Sequence, residues 1–421
     1  MSYISPEQTA YKDSANLDAF GRLRVSTGAQ LFGLSQEYSN HPLVWDSYTA
    51  SGGTATWSAL RNSTALTTAG TTSGARALRQ TKMYFRYTPG KSQLIKMTAI
   101  LQKGAVPSGT AFSAVGYYDD NNGLFFKQSA AGVYVVERSG VSGSVVDNPV
   151  LQASWNIDKF DGNGPSGKTI DWTKTQIFMI DMQWLGAGRV RYGLDIDGVL
   201  YYCHQFIHAN TLDQIYMETA DLPLRYEVFN SGGAGSNISL ESICSSVESE
   251  GGIQENSVYP FSYSAYVDTP LSISTTMRPL VTRRLRSTFN GKTVRGLARL
   301  NSFGLRVGSN DIYWEISFNQ TVTLGAGGST VTGLVNSAYS ISEYDTYVGA
   351  NNTVSGGSVI FNGFALSGAG GSRGLTLSPG ANTVLQIGKN YAGVSDSYTL
   401  SARSMTSTAT VSVVVQLEET Y

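Results

Sequence analysis

The chain has 421 residues, of which 14% are charged, and its 30 Lys and Arg against 31 Asp and Glu leave a net charge of −1. That balance supplies no global field for nucleic acid or an anionic membrane, so neither is expected as a partner. Apolar residues at 41% exclude a disordered chain, and 46 Gly without a three-residue period exclude collagen.

Residues 1–40 show neither strand alternation nor a helical period. Phe20, Leu23, Val25 and Phe32 are apolar residues without a local partner there, and Arg22 and Arg24 alternate with Leu23 and Val25. The pattern predicts an N-terminal docking arm. Its apolar residues would bury in a groove of a neighbouring molecule while the arginines pair with that neighbour's carboxylates. On this reading the arm attaches the protein and contributes nothing to its own fold.

Residues 41–252 read as strand after strand. Met83–Tyr87, Leu94–Gln102, Ala111–Tyr118, Gln176–Trp184, Arg189–Ile196, Val199–Ile207 and Leu224–Phe229 are rich in β-branched and aromatic residues. Asp119-Asp120-Asn121-Asn122-Gly123 and Asp197-Gly198 read as hairpin tips. A boundary falls at Ser249-Glu250-Gly251-Gly252. Residues 253–421 then form a second run of strands, with Ile312–Phe318, Val354–Phe364, Thr383–Ile387 and Val411–Leu417 the clearest. The expected fold is all-β: two antiparallel β-sandwich domains, the first lectin-like and the second a sandwich or jelly roll, behind an extended arm.

Several motifs compete for a chemical role. Gly162–Thr169 fits the phosphate-loop pattern, but no apolar strand precedes it and no helix has room to follow, so a polar surface loop is expected. His204 and His208 lie four apart on a strand, roughly 13 Å in extended chain, too far to share one ion. Asp119 and Asp120 admit a glycosidase only as the weakest class, since adjacent acids in a turn are commonplace. Two cysteines, Cys203 and Cys244, make no disulfide framework and suit a reducing cytosol. No apolar run reaches a membrane span of ~18 residues, and residues 1–7 lack the pattern of a signal peptide. Between Asp268 and Asp311 there is no acidic residue, while Arg278, Arg283, Arg284, Arg286, Arg295 and Arg299 all fall there. They are either solvated strand faces or a basic surface for an acidic partner subunit.

Asp18-Ala19-Phe20-Gly21-Arg22-Leu23-Arg24-Val25-Ser26 resembles a segment of poorly characterised virion proteins of tailed bacteriophages. Asp161–Gly167, Trp184–Gly193, Pro223–Val228 and Ser242–Gly252 are similar to the same group, in the same order, and the resemblance fades after about residue 300. It implies a non-enzymatic structural component of the particle at head, neck or tail, made in the host cytoplasm and located in the virion. Other virion proteins and copies of itself would be its partners, with no catalytic residue and no cofactor. The alternative is a receptor- or glycan-binding protein at a fibre tip, where Tyr- and Trp-rich strands beside Asp/Asn loops would hold a host surface glycan. A polysaccharide depolymerase is the third possibility.

Overall fold

From the strand Gly132–Ser139, Val133, Val135 and Glu137 project to one side and Tyr134, Val136 and Arg138 to the other, the period of two that recurs along this chain. A computed structural model of the protein describes residues 17–19, 28–70, 72–232, 235–250, 261–349, 351–367, 373–376 and 385–421. The strands gather into antiparallel sheets, and among the described residues the one helical turn is the short 3-10 segment Gln152–Ser154. No helix among them is long and apolar enough to cross a membrane. The fold is all-β, as the β-branched and aromatic segments between turn residues predict.

The chain divides into two compact units, Met1–Gln80 with Tyr87–Glu255, and Thr81–Arg86 with Asn256–Tyr421. The short stretch Thr81–Arg86 is the departure from a simple two-part reading. Met83–Tyr87 reads as a strand in the sequence but forms none. Instead the Lys82 carbonyl accepts from Lys389 N–H at 3.0 Å, and its ammonium pairs with Asp396 at 3.0 Å.

In the first unit an eight-stranded sheet runs in the order Val199–Phe206, Val190–Ile196, Gln176–Met182, Gln93–Ile100, Ser239–Ser249, Ser63–Thr67, Thr54–Ser58, with Ala29–Leu34 also paired to Ser239–Ser249. A seven-stranded sheet runs Val146–Leu151, Gly132–Ser139, Gly123–Ser129, Phe112–Tyr118, Leu224–Asn230, Ala75–Thr81, Trp45–Ala50. Phe126 of the second sheet meets Phe178 at 5.0 Å and Tyr192 at 5.4 Å from the first, so the two pack face to face over an aromatic core. The Asp197-Gly198 tip takes the left-handed backbone at both positions (φ 55° and 80°), which a two-residue hairpin requires.

The second unit repeats the architecture with smaller sheets. One is Phe261–Ile273, Ala409–Thr420, Leu297–Ser309, Arg373–Thr376; the other is Ser329–Leu334, Ser342–Val348, Arg278–Leu285, Ser397–Ser404, Ile312–Phe318, Ser358–Ala365. Phe303 and Trp314, one from each, lie 4.7 Å apart. The expected strand Val354–Phe364 is split into Thr353–Ser355 and Ser358–Ala365 by Gly356 and Gly357, both at positive φ. The expected strand Thr383–Ile387 begins outside the described residues, and Ile387 makes a single bridge to Ala298.

The expectation of a detached arm over residues 1–40 needs correction. Phe20, Arg22, Leu23, Arg24 and Val25 lie outside the described residues. On either side of them, however, the chain is built into the first unit. Leu17, Asp18 and Ala19 are buried, and the Leu17 carbonyl accepts from Arg191 Nη2 at 2.6 Å. Phe32 sits on the strand Ala29–Leu34, opposite Val247, with its ring edge-on to Trp45 at 6.1 Å. Its partners exist, but they stand on strands remote in sequence, which a search for local periodicity does not find. Phe32 is a core residue, not an anchor for a neighbour.

Candidate functional site

The outer face of the seven-stranded sheet, the one turned away from the aromatic core, is not the polar surface that an antiparallel sheet usually shows to water. In the central strands, register places Phe112, Ala114, Gly116 and Tyr118 beside Phe229, Glu227 and Arg225 on one flank and beside Lys127 and Phe125 on the other. Tyr118 and Phe125 stack at 4.3 Å. The Arg138 guanidinium lies 5.1 Å from the Phe125 ring, and that of Arg225 lies 5.0 Å from the Tyr118 ring, so the ring pair is held between two cations. Gly116 lets the backbones approach, since a Cβ there would stand 2.4 Å from the Leu124 carbonyl.

Charge is organised around these rings. Arg76 Nε donates to Glu227 at 2.6 Å and its Nη2 to Asp120 at 3.2 Å. Arg225 Nη1 donates to the same Asp120 oxygen at 2.6 Å, and its Nε to Gln80 at 2.8 Å. The Tyr118 hydroxyl donates to Glu227 at 3.1 Å, and Arg138 forks onto Asp147 at 2.7 and 3.1 Å. Burial works to lower the Arg225 pKa, but Glu227 and Asp120 outweigh it and push it up. Lys127, 4.7 Å from the Phe112 ring, has its pKa lowered by burial. Asp120 is half exposed and Arg76 about one-fifth exposed, so the rim of the cluster reaches solvent while its centre is closed. The Asp119–Gly123 tip carries Asp120 into place, because Asp119 Oδ1 accepts the amides of Asn121 and Asn122 at 2.8 Å each.

The other motifs become structural. Gly162–Thr169 is a hairpin loop in which Gly162 N–H donates to the Lys168 carbonyl at 3.0 Å and the buried Asp158 accepts from Ser166 N–H at 2.7 Å. His204 accepts from Asn156 N–H at 3.2 Å, and burial lowers its pKa to about 4. His208 lies between the Gly188 carbonyl at 2.5 Å and Glu137 at 2.7 Å, stacked on Tyr216 at 4.0 Å. Among the described residues no group of three His, Cys, Asp or Glu is placed to hold a metal ion.

The basic surface expected from Arg278 to Arg299 also needs correction. Arg278 and Arg283 are buried in the second unit. Arg278 Nη2 donates to the Tyr347 carbonyl at 3.0 Å, and Arg283 Nη1 to the Val415 carbonyl at 2.8 Å. Arg284 pairs with Glu343 and Asp345, and Arg299 with Glu418. Arg286 donates to the Ser340 carbonyl at 3.1 Å, and Arg295 is half-buried. The carboxylates that pair with Arg284 and Arg299 arrive from residues 343, 345 and 418, far outside the acid-free stretch, so a count along the chain reads as a positive patch what the sheets partly bury and partly neutralise.

Sequence reasoning weighs Asp119 and Asp120 as a hairpin tip and, more weakly, as a glycosidase pair, and it misses the ring and guanidinium array. The members stand on five strands between residues 76 and 227, and no local spacing marks them. One signal was available: Arg225, Tyr226 and Glu227 are charged residues around an aromatic within a strand flanked by apolar residues.

No protein-family model matches the chain, and no curated protein matches it. Among solved structures it is similar to a legume lectin-like domain from Entamoeba histolytica (TM-score 0.31, 10% identity, 53% of this chain and 98% of that one). It is similar also to the Emp47p carbohydrate recognition domain (0.32, 11%, 54% and 99%) and to the binding domain of Botulinum neurotoxin serotype D (0.32, 8%, 60% and 56%). A further match, HCR/D W1238A, is spanned over only 48% of its length. At these scores the likeness carries no functional argument.

Proposed function

We propose that the protein is a non-enzymatic component of a tailed-phage particle, and that its first unit recognises carbohydrate on the outer face of the seven-stranded sheet. The observation that carries the binding reading is the rim of that array, where Arg76 and Asp120 reach solvent beside the ammonium of Lys127 and the partly buried rings of Phe112 and Phe229, over the closed Arg225 and Glu227. Sugars present apolar C–H faces and hydroxyls that both donate and accept, and such an array answers both. The same pairing argues against hydrolysis. Glu227, Asp120 and Asp147 each accept from a guanidinium, whereas a glycosidase needs one carboxyl kept protonated beside the leaving group. Placement in the virion, as repeated copies bound to other particle proteins, rests on the sequence resemblance.

Two experiments test this. The purified chain on an array of bacterial surface glycans should retain at least one ligand, and Lys127→Ala with Arg76→Ala should weaken retention by about tenfold or more. Retention unchanged by both substitutions removes the site, and release of reducing ends from the ligand removes the non-enzymatic reading. Antibody labelling of intact particles should decorate head, neck or tail; particles without label remove the virion assignment.

A further inference from the structure

On the six-stranded sheet of the second unit, register places Phe364, Tyr313 and Arg403 in one row across three strands. Asn362, Glu315 and Ser401 form the next row on the same face. Phe364 is 64% exposed, on a strand at the edge of the sheet, with its ring edge-on to Tyr313 at 5.6 Å. The Arg403 guanidinium lies over the other ring, 5.4 Å from the Tyr313 centroid. Phe364 is held here by packing against a second ring, which itself carries the Arg403 cation, and not by burial.

The carboxylates beside this row are engaged elsewhere. Asp311 Oδ1 accepts from Ser367 N–H at 2.8 Å and from its hydroxyl at 3.0 Å. Glu315 accepts from Gln320 at 2.9 Å and from the Ser317 hydroxyl at 3.4 Å. Neither reaches Arg403, whose contact among the described residues is the Tyr313 ring. A guanidinium stacked on a ring keeps its planar edge for a bidentate acceptor, and its orientation is already fixed.

We propose that Phe364, Tyr313 and Arg403 form a binding site for a carboxylated pyranose, an acidic sugar unit of a glycan. The C–H face of the pyranose stacks on Phe364, the carboxylate takes the Arg403 fork, and Asn362 at the exposed corner meets a ring hydroxyl. Charge complementarity selects the acid over a neutral hexose: a neutral sugar fills the ring contact and leaves the guanidinium without its acceptor. The site is separate from the first unit's face and does not depend on carbohydrate binding there.

The test is titration calorimetry or ligand-observed NMR on the full chain with a galacturonic acid trisaccharide, its neutral galactose counterpart and inorganic phosphate. The acidic trisaccharide should bind at least about tenfold more tightly than the neutral one, and Arg403→Ala should abolish that difference. Arg403→Lys keeps the charge without the fork and should lose most of it, while Phe364→Ala should weaken both sugars together. Equal affinity for the two trisaccharides, an unaffected Arg403→Ala variant, or phosphate binding as tightly as the acidic sugar would each overturn the proposal. Phe364 is solvent-exposed and Arg403 lies on the sheet surface, so near-ultraviolet circular dichroism should confirm that the variants keep the fold.

Discussion

His204 and His208, four residues apart, have been pushed in opposite directions by their surroundings. Burial alone would lower the His208 pKa, but the hydrogen bond and charge of Glu137, with the Gly188 carbonyl, raise it. Both ring nitrogens face acceptors, so the imidazolium is the form that satisfies the site. Phe206 and Tyr216 flank the ring and bring no competing cation. Because the folded value stands above the unfolded one, near 6.5, His208 contributes stability that is complete below that pH and is lost as pH rises through the folded pKa. His204 is the reverse case, a base whose folded pKa of about 4 lies below its unfolded value. The unfolded chain binds its proton first, so stability falls as pH drops from about 6.5 toward about 4. Urea midpoints of the first unit should therefore peak near pH 6.5. His208→Gln should flatten the alkaline limb and His204→Gln the acid limb. A profile that neither substitution changes would refute both assignments.

The strand Ala29–Leu34 shows what separates an element from its sequence signature. Its residues lack clear alternation, and its pairing with Ser239–Ser249 shifts register between Gln30 and Phe32. A bulge of this kind breaks the period of two by which strands are read. Beyond it, Gln36 is buried, its amide donating to the Ile243 carbonyl at 2.7 Å while its oxygen accepts from Thr64 at 2.5 Å. Strands marked by runs of β-branched, aromatic and apolar residues, such as Gln176–Met182, and hairpins set by Asp-Gly were legible because their cause is local. Removing residues 28–40 should lower the melting temperature of the first unit and expose apolar surface to a dye such as ANS. Phe32→Ala alone should cost about 3 kcal/mol in a denaturant titration. A deletion variant with an unaltered melting temperature would return this segment to the role of an arm.

Across the whole molecule, most of what the sequence concealed is charge carried inward. Arg79, Arg191, Arg225 and Arg283 are among the largest fully buried side chains. Each stands at an ordinary strand position, where reading by residue type assigns a solvated face. Inside, each finds oxygen acceptors: Arg79 the Asn40 carbonyl at 2.7 Å, Arg191 the buried Asp181, Arg225 Gln80 and Asp120, and Arg283 the Val415 carbonyl. The expected sheets survive this, since apolar residues at alternate positions still set the strands, but the sites do not. The ring and guanidinium array assembled from five strands, and the basic run whose arginines turn inward or pair with carboxylates remote in sequence, are both products of strand order. The consequence for assembly is that, among the described residues, several charges are already paired or carried inward on a chain whose net charge is −1. Contacts between copies should then hardly respond to salt. Raising ionic strength from ~0.1 M to ~1 M shortens the screening length from about 10 Å to about 3 Å, which loosens interfaces held by exposed ion pairs. Sedimentation velocity should show the same mass distribution at both ends of that range. Dissociation at high salt would show instead that exposed charges, with Arg306 the first to substitute, hold the copies together.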